Sequence, residues 1–363
     1  MQVKYNLDGD LLFSCSKDDT PTVWKTSNGE RLGTYDGHQG TVWSLDVSRD
    51  STRLITGGGD QTVKLWAVET GELLASFAQS GPVKFVEWAE GDQSFLVICD
   101  PFSNTPAAVR IYTRTGPGDD ASSWTYVEWK TLGTASGKKL TRGTWTALNE
   151  SIITGDDVGV LRVHDPMTGE VKREIKEHSK KINSLQWNYE KTLLITGSAD
   201  CTSKLFDVNT FRCLRTFETE VPVNAAAISP IKEHVFVAGG QEAMSVTTTS
   251  SRVGKFETKL FHMVFGDEFG SVRGHFGPVN TLALHPDGEL AFPPPPSLSN
   301  SRRAHINSSA YYYYFTGTGF TSGSEDGYIR IHAFDRDYFQ LHTEFDNLDE
   351  LMAMAKKPVA TEG

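Results

Sequence analysis

"GHQGTVWSLDVSRDSTRLITGGGDQTVKLWAVETGELLASF" runs from Gly37 to Phe77. It opens on Gly-His, alternates through "TVWSLDV", turns at "SRDS" and runs apolar into Thr-Gly. A second turn holds Asp60, a further alternating run ends at Trp66, and "ELLASF" closes the stretch. Period-two alternation broken by turn residues reads as short β-strands, so this stretch encodes four strands in about forty residues. A second copy, "EHSKKINSLQWNYEKTLLITGSADCTSKLFDVNTFRCLRTF", runs from Glu177 to Phe217.

One four-stranded sheet has two faces to bury and cannot bury both alone. Sheets packed face to face around an axis bury both and leave only short edges. The period is that of a WD-type propeller blade, about 40–45 residues. Weaker copies fill the chain: "VKYNLDGDLLFSCSKDDTPTVWKTSNGERLGTY", "GPVKFVEW" onward, "LTRGTWTALNESIITGDDVGVLRVHDPMTGEVKREI", "VPVNAAAISPIKEHVFVAGG" onward, and "GHFGPVNTLALHPDG" resuming at "FTSGSEDGYIRIHAFD". The fold expected is therefore all-β, a single seven-bladed WD-repeat β-propeller over residues 1–345. Its blades are expected at about 1–36, 37–78, 79–133, 134–176, 177–219, 220–273 and 274–345, with 346–363 a tail holding a short helix.

A set of polar residues recurs at fixed spacing. The second blade carries His38, Thr56, Asp60 and Trp66, and the fifth His178, Thr196 and Asp200, with Phe206 at the Trp position. The seventh carries His275, Ser322 and Asp326 with His332 at that position, and the first Ser14, Asp18 and Trp24 without the His. A Ser/Thr–His–Asp set invites a triad reading. Repetition argues against it: a catalytic site is built once, and this set is built at least three times. It reads as a buried frame in which Asp holds a turn and accepts from His, and His bonds the hydroxyl. Gln79 stands where His38 does in the third blade, and Val158 where Asp60 does in the fourth; those blades are expected to rely on packing.

Other chemistry finds no footing. The sequence holds no phosphate-loop motif, no H-E-x-x-H and no Cys/His cluster, so neither cofactor nor metal is expected. Four widely spaced cysteines read as reduced thiols. The formal charge of −11 disfavours coating a phosphate backbone. No apolar run is long enough for a membrane span and no signal-peptide core opens the chain, so a cytoplasmic protein is expected.

Several stretches resemble the WD-repeat subunit i of eukaryotic translation initiation factor three. They are "KYNLDGDLLFSCSKDDTPTVWKTSNGERLGTYDGH" (Lys4–His38), "IKEHSKKIN" with "KLFD" (Ile175–Asp207), "GGQEAMSVTTTSSRVGKFETKLFH" (Gly239–His262) and "GHFGPVNTLALHPDG" with "SEDGYIRIHAFD". The Gly239–His262 stretch is the most specific, because "GGQEAM" and "VTTTS" are not part of the generic repeat. The resemblance implies a non-enzymatic scaffold of the initiation-factor complex, which brings messenger RNA and initiator tRNA to the small ribosomal subunit. It implies subunits b and g as partners, with no sequence-specific nucleic acid contact; the alternative is a generic WD-repeat interaction scaffold of another cytosolic complex. The candidate partner surface is the flank of the fifth and sixth blades, with Gln241, Glu242, Arg252 and Lys255.

Two features depart from the family. The resemblance implies a leading strand and a Gly-His before "QVKYN", where this chain has only Met1. "YFQLHTEF" (Tyr338–Phe345) alternates well enough to supply the fourth strand of the last blade. Second, "FPPPPSLSNSRRAHINSSAYYYYFTG" interrupts the last blade, where a turn of a few residues belongs. Four prolines exclude a ladder strand, and residues 289–318 read as disordered. The segment reads as one without a selected role, of the kind a translated intron or a gene-model error leaves; the alternative is a docking loop acting through its prolines.

Overall fold

The computed structural model describes residues 1–130, 139–240, 256–286 and 319–334. These form seven antiparallel sheets whose strands pair in chain order. Six sheets have four strands, and the seventh has three among the described residues. Tyr338–Phe345, the insertion at 289–318, the tail at 346–363 and Gln241, Glu242, Arg252 and Lys255 all lie outside the described residues.

The innermost strands are Gln2–Tyr5, Val42–Val47, Val83–Trp88, Leu140–Trp145, Ile182–Trp187, Val223–Ile228 and Val279–Leu284. Each touches the next, and the last touches the first, so they close a ring. The closure between the seventh and first blades is polar as well as apolar. The Val3 amide donates to Thr281 Oγ1 at 3.2 Å, Tyr5 Oη meets Thr321 Oγ1, and His285 Nε2 donates to the Gly9 carbonyl at 3.0 Å.

Seven hydrophobic clusters fill the ring, one at each interface between neighbouring blades. The interface of blades two and three is the most aromatic: Phe77, Trp88, Phe95, Tyr112 and Trp124 pack together, with Phe95 stacked on Tyr112 at 4.9 Å. Each fully buried aliphatic or aromatic side chain contributes about 1.5–3 kcal/mol, which is why a face apolar in sequence commits to the neighbouring blade.

The Thr-Gly of the repeat has a packing cause. A Cβ at Gly57 would stand 2.4 Å from Val83 Cγ1, so the glycine lets the next innermost strand approach. The third blade places Ile98 at the corresponding register, between Val97 and Cys99. There the small residue moves to the other side of the interface: a Cβ at Gly143 in the fourth blade would stand 2.6 Å from Ile98 Cδ1.

Candidate functional site

In the second blade, His38 Nδ1 lies 2.8 Å from Asp60 Oδ2 and His38 Nε2 2.7 Å from Thr56 Oγ1. Trp66 Nε1 donates to Thr56 Oγ1 at 2.9 Å. Asp60 can only accept, so Nδ1 carries the proton and Nε2 accepts from the threonine hydroxyl. The result is one chain of donation, Trp66 to Thr56 to His38 to Asp60. Asp60 also takes the Gln39 amide at 3.0 Å, the Thr62 amide at 3.1 Å and the Thr62 hydroxyl at 2.9 Å, which pins two loops together. Burial pushes the His38 pKa down in spite of Asp60, so the ring is neutral. Burial also works against the Asp60 charge, but the Gln39 amide and His38 hold its pKa below the ordinary value.

The fifth blade repeats this geometry. His178 lies 2.9 Å from Asp200 and 2.7 Å from Thr196, and the Ser179 and Thr202 amides reach Asp200 at 2.9 and 3.1 Å. The Asp200 pKa lies at about 2: burial opposes this, and the Thr202 hydroxyl, the Ser179 amide and His178 prevail. Phe206 fills the Trp position with no donor to offer. In the seventh blade His275 lies 3.0 Å from Asp326 and 2.7 Å from Ser322, and His332 Nε2 meets the same hydroxyl at 2.8 Å in place of the indole. Burial, with His275 and Arg330 nearby, drives the His332 pKa down to about 4. In the first blade Trp24 Nε1 donates to Ser14 Oγ at 2.8 Å, but Asp18 is exposed and stands apart. With no histidine there, nothing bridges Asp18 to the hydroxyl.

The expectation that blades three and four rely on packing is overturned. Gln79 replaces the histidine functionally: its Oε1 accepts from Arg110 Nη1 at 2.6 Å and its Nε2 donates to Tyr112 Oη at 2.8 Å. In the fourth blade the carboxylate has moved two residues earlier. Asp156 accepts the Val158 and Val160 amides at 3.0 and 2.8 Å and Arg162 Nη1 at 2.8 Å, while Arg162 Nε reaches Glu174 at 3.0 Å. Thr154 still bonds His164 at 2.8 Å, the histidine standing at the Trp position. Both substitutes use a basic residue two before the aromatic or histidine, a pattern that the blades keeping the His–Asp set also carry and that does not single these two out. It appears as Lys64-x-Trp66, Arg110-x-Tyr112, Arg162-x-His164, Lys204-x-Phe206, Lys259-x-Phe261 and Arg330-x-His332.

Nothing in these networks is arranged for chemistry. Thr56, Thr196 and Ser322 are fully buried, so no substrate reaches their hydroxyls. No cluster among the described residues could hold a metal ion, and none of the four cysteines is joined in a disulfide.

The second polar assembly, which sequence reasoning could not place, lines the central channel of about 460 Å³. On one side Lys4 pairs with Asp46 at 2.5 Å, and Asp46 also accepts the Trp88 amide at 2.8 Å. Glu87 accepts the Thr144 hydroxyl and the Trp145 amide, each at 3.0 Å. Burial raises the Glu87 pKa to about 7, aided by Asp46 and opposed by Lys4. On the other side the lining is made of amides. Asn183 donates to the Val223 carbonyl at 2.9 Å, Asn224 to Asn280 at 3.0 Å, and Gln186 to the Leu282 carbonyl at 2.9 Å. Asp46 and Glu87 are spent on partners of the frame, and of the other two lining carboxylates Glu90 pairs with Lys191 at 2.9 Å and Asp92 accepts the Arg49 amide at 2.9 Å.

Comparison with known proteins agrees with this architecture. The family model described as EIF3I matches residues 1–292. The eukaryotic translation initiation factor 3 subunit I of Xenopus tropicalis is 41% identical over 343 residues, covering 94% of this chain and 95% of the relative. That of Bombyx mori is 40% identical over 346 residues, covering 95% of each. That of Nematostella vectensis is 40% identical over 344 residues, covering 95% and 96%. Among solved structures, the β-propeller domain of Cps50 (Swd1) from Myceliophteria thermophila superposes with a TM-score of 0.70 at 17% identity, covering 92% of this chain and 95% of that one, a likeness of fold alone. Among the described residues no helix is long and apolar enough to cross a membrane.

Proposed function

Because this chain belongs to the subunit I family of eukaryotic translation initiation factor 3, we propose that it is a non-catalytic scaffold subunit of that complex in the cytoplasm. The observation that carries the reading is 41% identity sustained over 94% of the chain. A ring closed by seven apolar interfaces supports it, since a rigid frame presents loops for docking at little conformational cost. The recurrent Ser/Thr–His–Asp sets support it from the other side: they are interior fasteners and leave the surfaces for partners.

In this reading the chain joins subunits b and g and, through the complex, helps bring messenger RNA and initiator tRNA to the small ribosomal subunit, without sequence-specific nucleic acid contact of its own. Its partner surface includes Gln241, Glu242, Arg252 and Lys255 beside the fifth and sixth blades. The test is co-expression of the full chain with candidate subunits b and g, followed by sizing. Co-elution with both is expected, and the combined variant Glu242→Lys, Arg252→Glu, Lys255→Glu should weaken it about tenfold while the melting temperature holds. Failure of the wild-type chain to co-elute with either subunit would sink the partner assignment. A hydrolase screen that found activity abolished by Asp60→Ala in a folded protein would reopen catalysis.

A further inference from the structure

One side chain in the central channel is spent on almost nothing. Arg142 lines the channel from the innermost strand of the fourth blade. Its Nη1 donates to the carbonyl of its own neighbour, Thr141, at 3.2 Å, and its guanidinium lies 5.7 Å from the Phe85 ring. Among the described residues no carboxylate pairs with it. Other arginines of the frame are spent differently: Arg110 on Gln79 at 2.6 Å, Arg162 on Asp156 at 2.8 Å, Arg273 on Glu257 at 2.8 Å. A guanidinium has five N–H donors in a planar fork. At Arg142 one of them has a protein acceptor, and the fork opens on a cavity of about 460 Å³.

Lys84 stacks on Trp43 at 3.9 Å from the ring centre, on the neighbouring innermost strand. Burial lowers the Lys84 pKa, with Arg142 and Lys139 pushing the same way and Asp100, 3.8 Å away, opposing. Lys84 and Lys139 stand outside the channel lining, with Lys84 paired to Asp100, so Arg142 faces the channel without them. The four carboxylates that line the channel are engaged elsewhere: Asp46 by Lys4 and the Trp88 amide, Glu87 by Thr144 and Trp145, Glu90 by Lys191 at 2.9 Å, and Asp92 by the Arg49 amide at 2.9 Å. Asn183, Asn224 and Asn280 add amides around the lining.

We propose that the central channel binds an oxyanion, a phosphate or carboxylate group taken by the Arg142 fork. Carboxylate and phosphate are the groups a guanidinium holds with two parallel hydrogen bonds. The group comes either from a small soluble anion or from an acidic side chain of a partner protein, and the inference does not depend on which complex the chain joins.

The test is calorimetric titration of the full chain at constant ionic strength with two probes, inorganic phosphate and an end-blocked hexaglutamate peptide. At least one is expected to bind with one site per chain, at least about tenfold more weakly in Arg142→Gln and to an intermediate degree in Arg142→Lys. Binding of phosphate identifies a soluble anion as the occupant; binding of the peptide alone identifies a partner's carboxylate. No binding of either probe, or equal binding by Arg142→Gln, overturns the proposal. Should Arg142→Gln not fold, selenate soaked into crystals of the wild-type protein decides: an anomalous peak within hydrogen-bonding reach of Arg142 upholds the site, and its absence there removes it.

Discussion

The second and fourth blades do the same mechanical work with different chemistry. In the second, a neutral histidine ties a carboxylate to a buried hydroxyl, and the carboxylate ties two loops. In the fourth, an arginine holds a fully buried Asp156 that has slid two residues along the turn, and the hydroxyl network shrinks to Thr154 and His164. The difference teaches that the blade needs an acceptor at the turn between its second and third strands, with a donor opposite. It does not need one fixed residue in either role.

Removing the arginine is the severest way to break this equivalence. Arg162→Leu strands a buried carboxylate, and loss of one partner of a buried pair costs about 3–5 kcal/mol. Denaturant unfolding should show that loss; a change under about 1 kcal/mol would mean that packing alone carries the fourth blade. Asp60→Ala comes next. It leaves the His38 Nδ1 proton and the Gln39 and Thr62 amides without their acceptor, for a loss of about 2–3 kcal/mol. If Arg162→Leu proves the milder of the two, the ion pair in blade four is ornamental and the histidine network is the true frame.

Acid tests what the blades share. His38, His164, His178, His275 and His332 all have pKa values lowered first by burial. A histidine whose folded pKa lies below its unfolded value of about 6.5 contributes stability that is present above that value and lost as pH falls toward the folded pKa. Stability should therefore decline from about pH 6.5 downward, with His332, at about 4, marking the lower end of the window. Glu87 works with the opposite sign. Its raised pKa of about 7 means its ionisation penalises the fold as pH rises, so Glu87→Gln should gain on the wild type between pH 5 and 8. A stability difference independent of pH would show that Glu87 is ionised throughout.

The smallest effect belongs to Trp66→Phe. It removes one donor to Thr56 and leaves the ring's packing, which the fifth blade already tolerates with Phe206. About 0.5–1.5 kcal/mol is expected. A loss as large as that of Asp60→Ala would make the indole, and not the carboxylate, the anchor of the second blade.

Much of this was legible in the chain. Seven copies of one alternating pattern determine an all-β ring, because alternation assigns faces locally and a single sheet cannot bury both of its faces. The spacing of His38, Thr56, Asp60 and Trp66 is equally local, since each lies at a fixed step from a turn or strand end, so its repeats at His178 and His275 were readable too. Asp156 and Arg162 escaped because a shift of two residues at a turn breaks a spacing search while leaving the hydrogen bonds intact. Gln79 escaped because its partners, Arg110 and Tyr112, meet it only across the sheet. The channel was beyond reach altogether. Lys4, Asp46, Glu87, Thr144 and Arg142 stand on different blades, and nothing in the chain relates their phases around the axis. Ring closure brings them together, as it matches Gly143 to Ile98, and that closure is a property of seven interfaces at once. Local patterning thus determined the blades and their fasteners. The tertiary structure alone decided which charges share the channel, because only the packed ring sets distances between residues about forty positions apart.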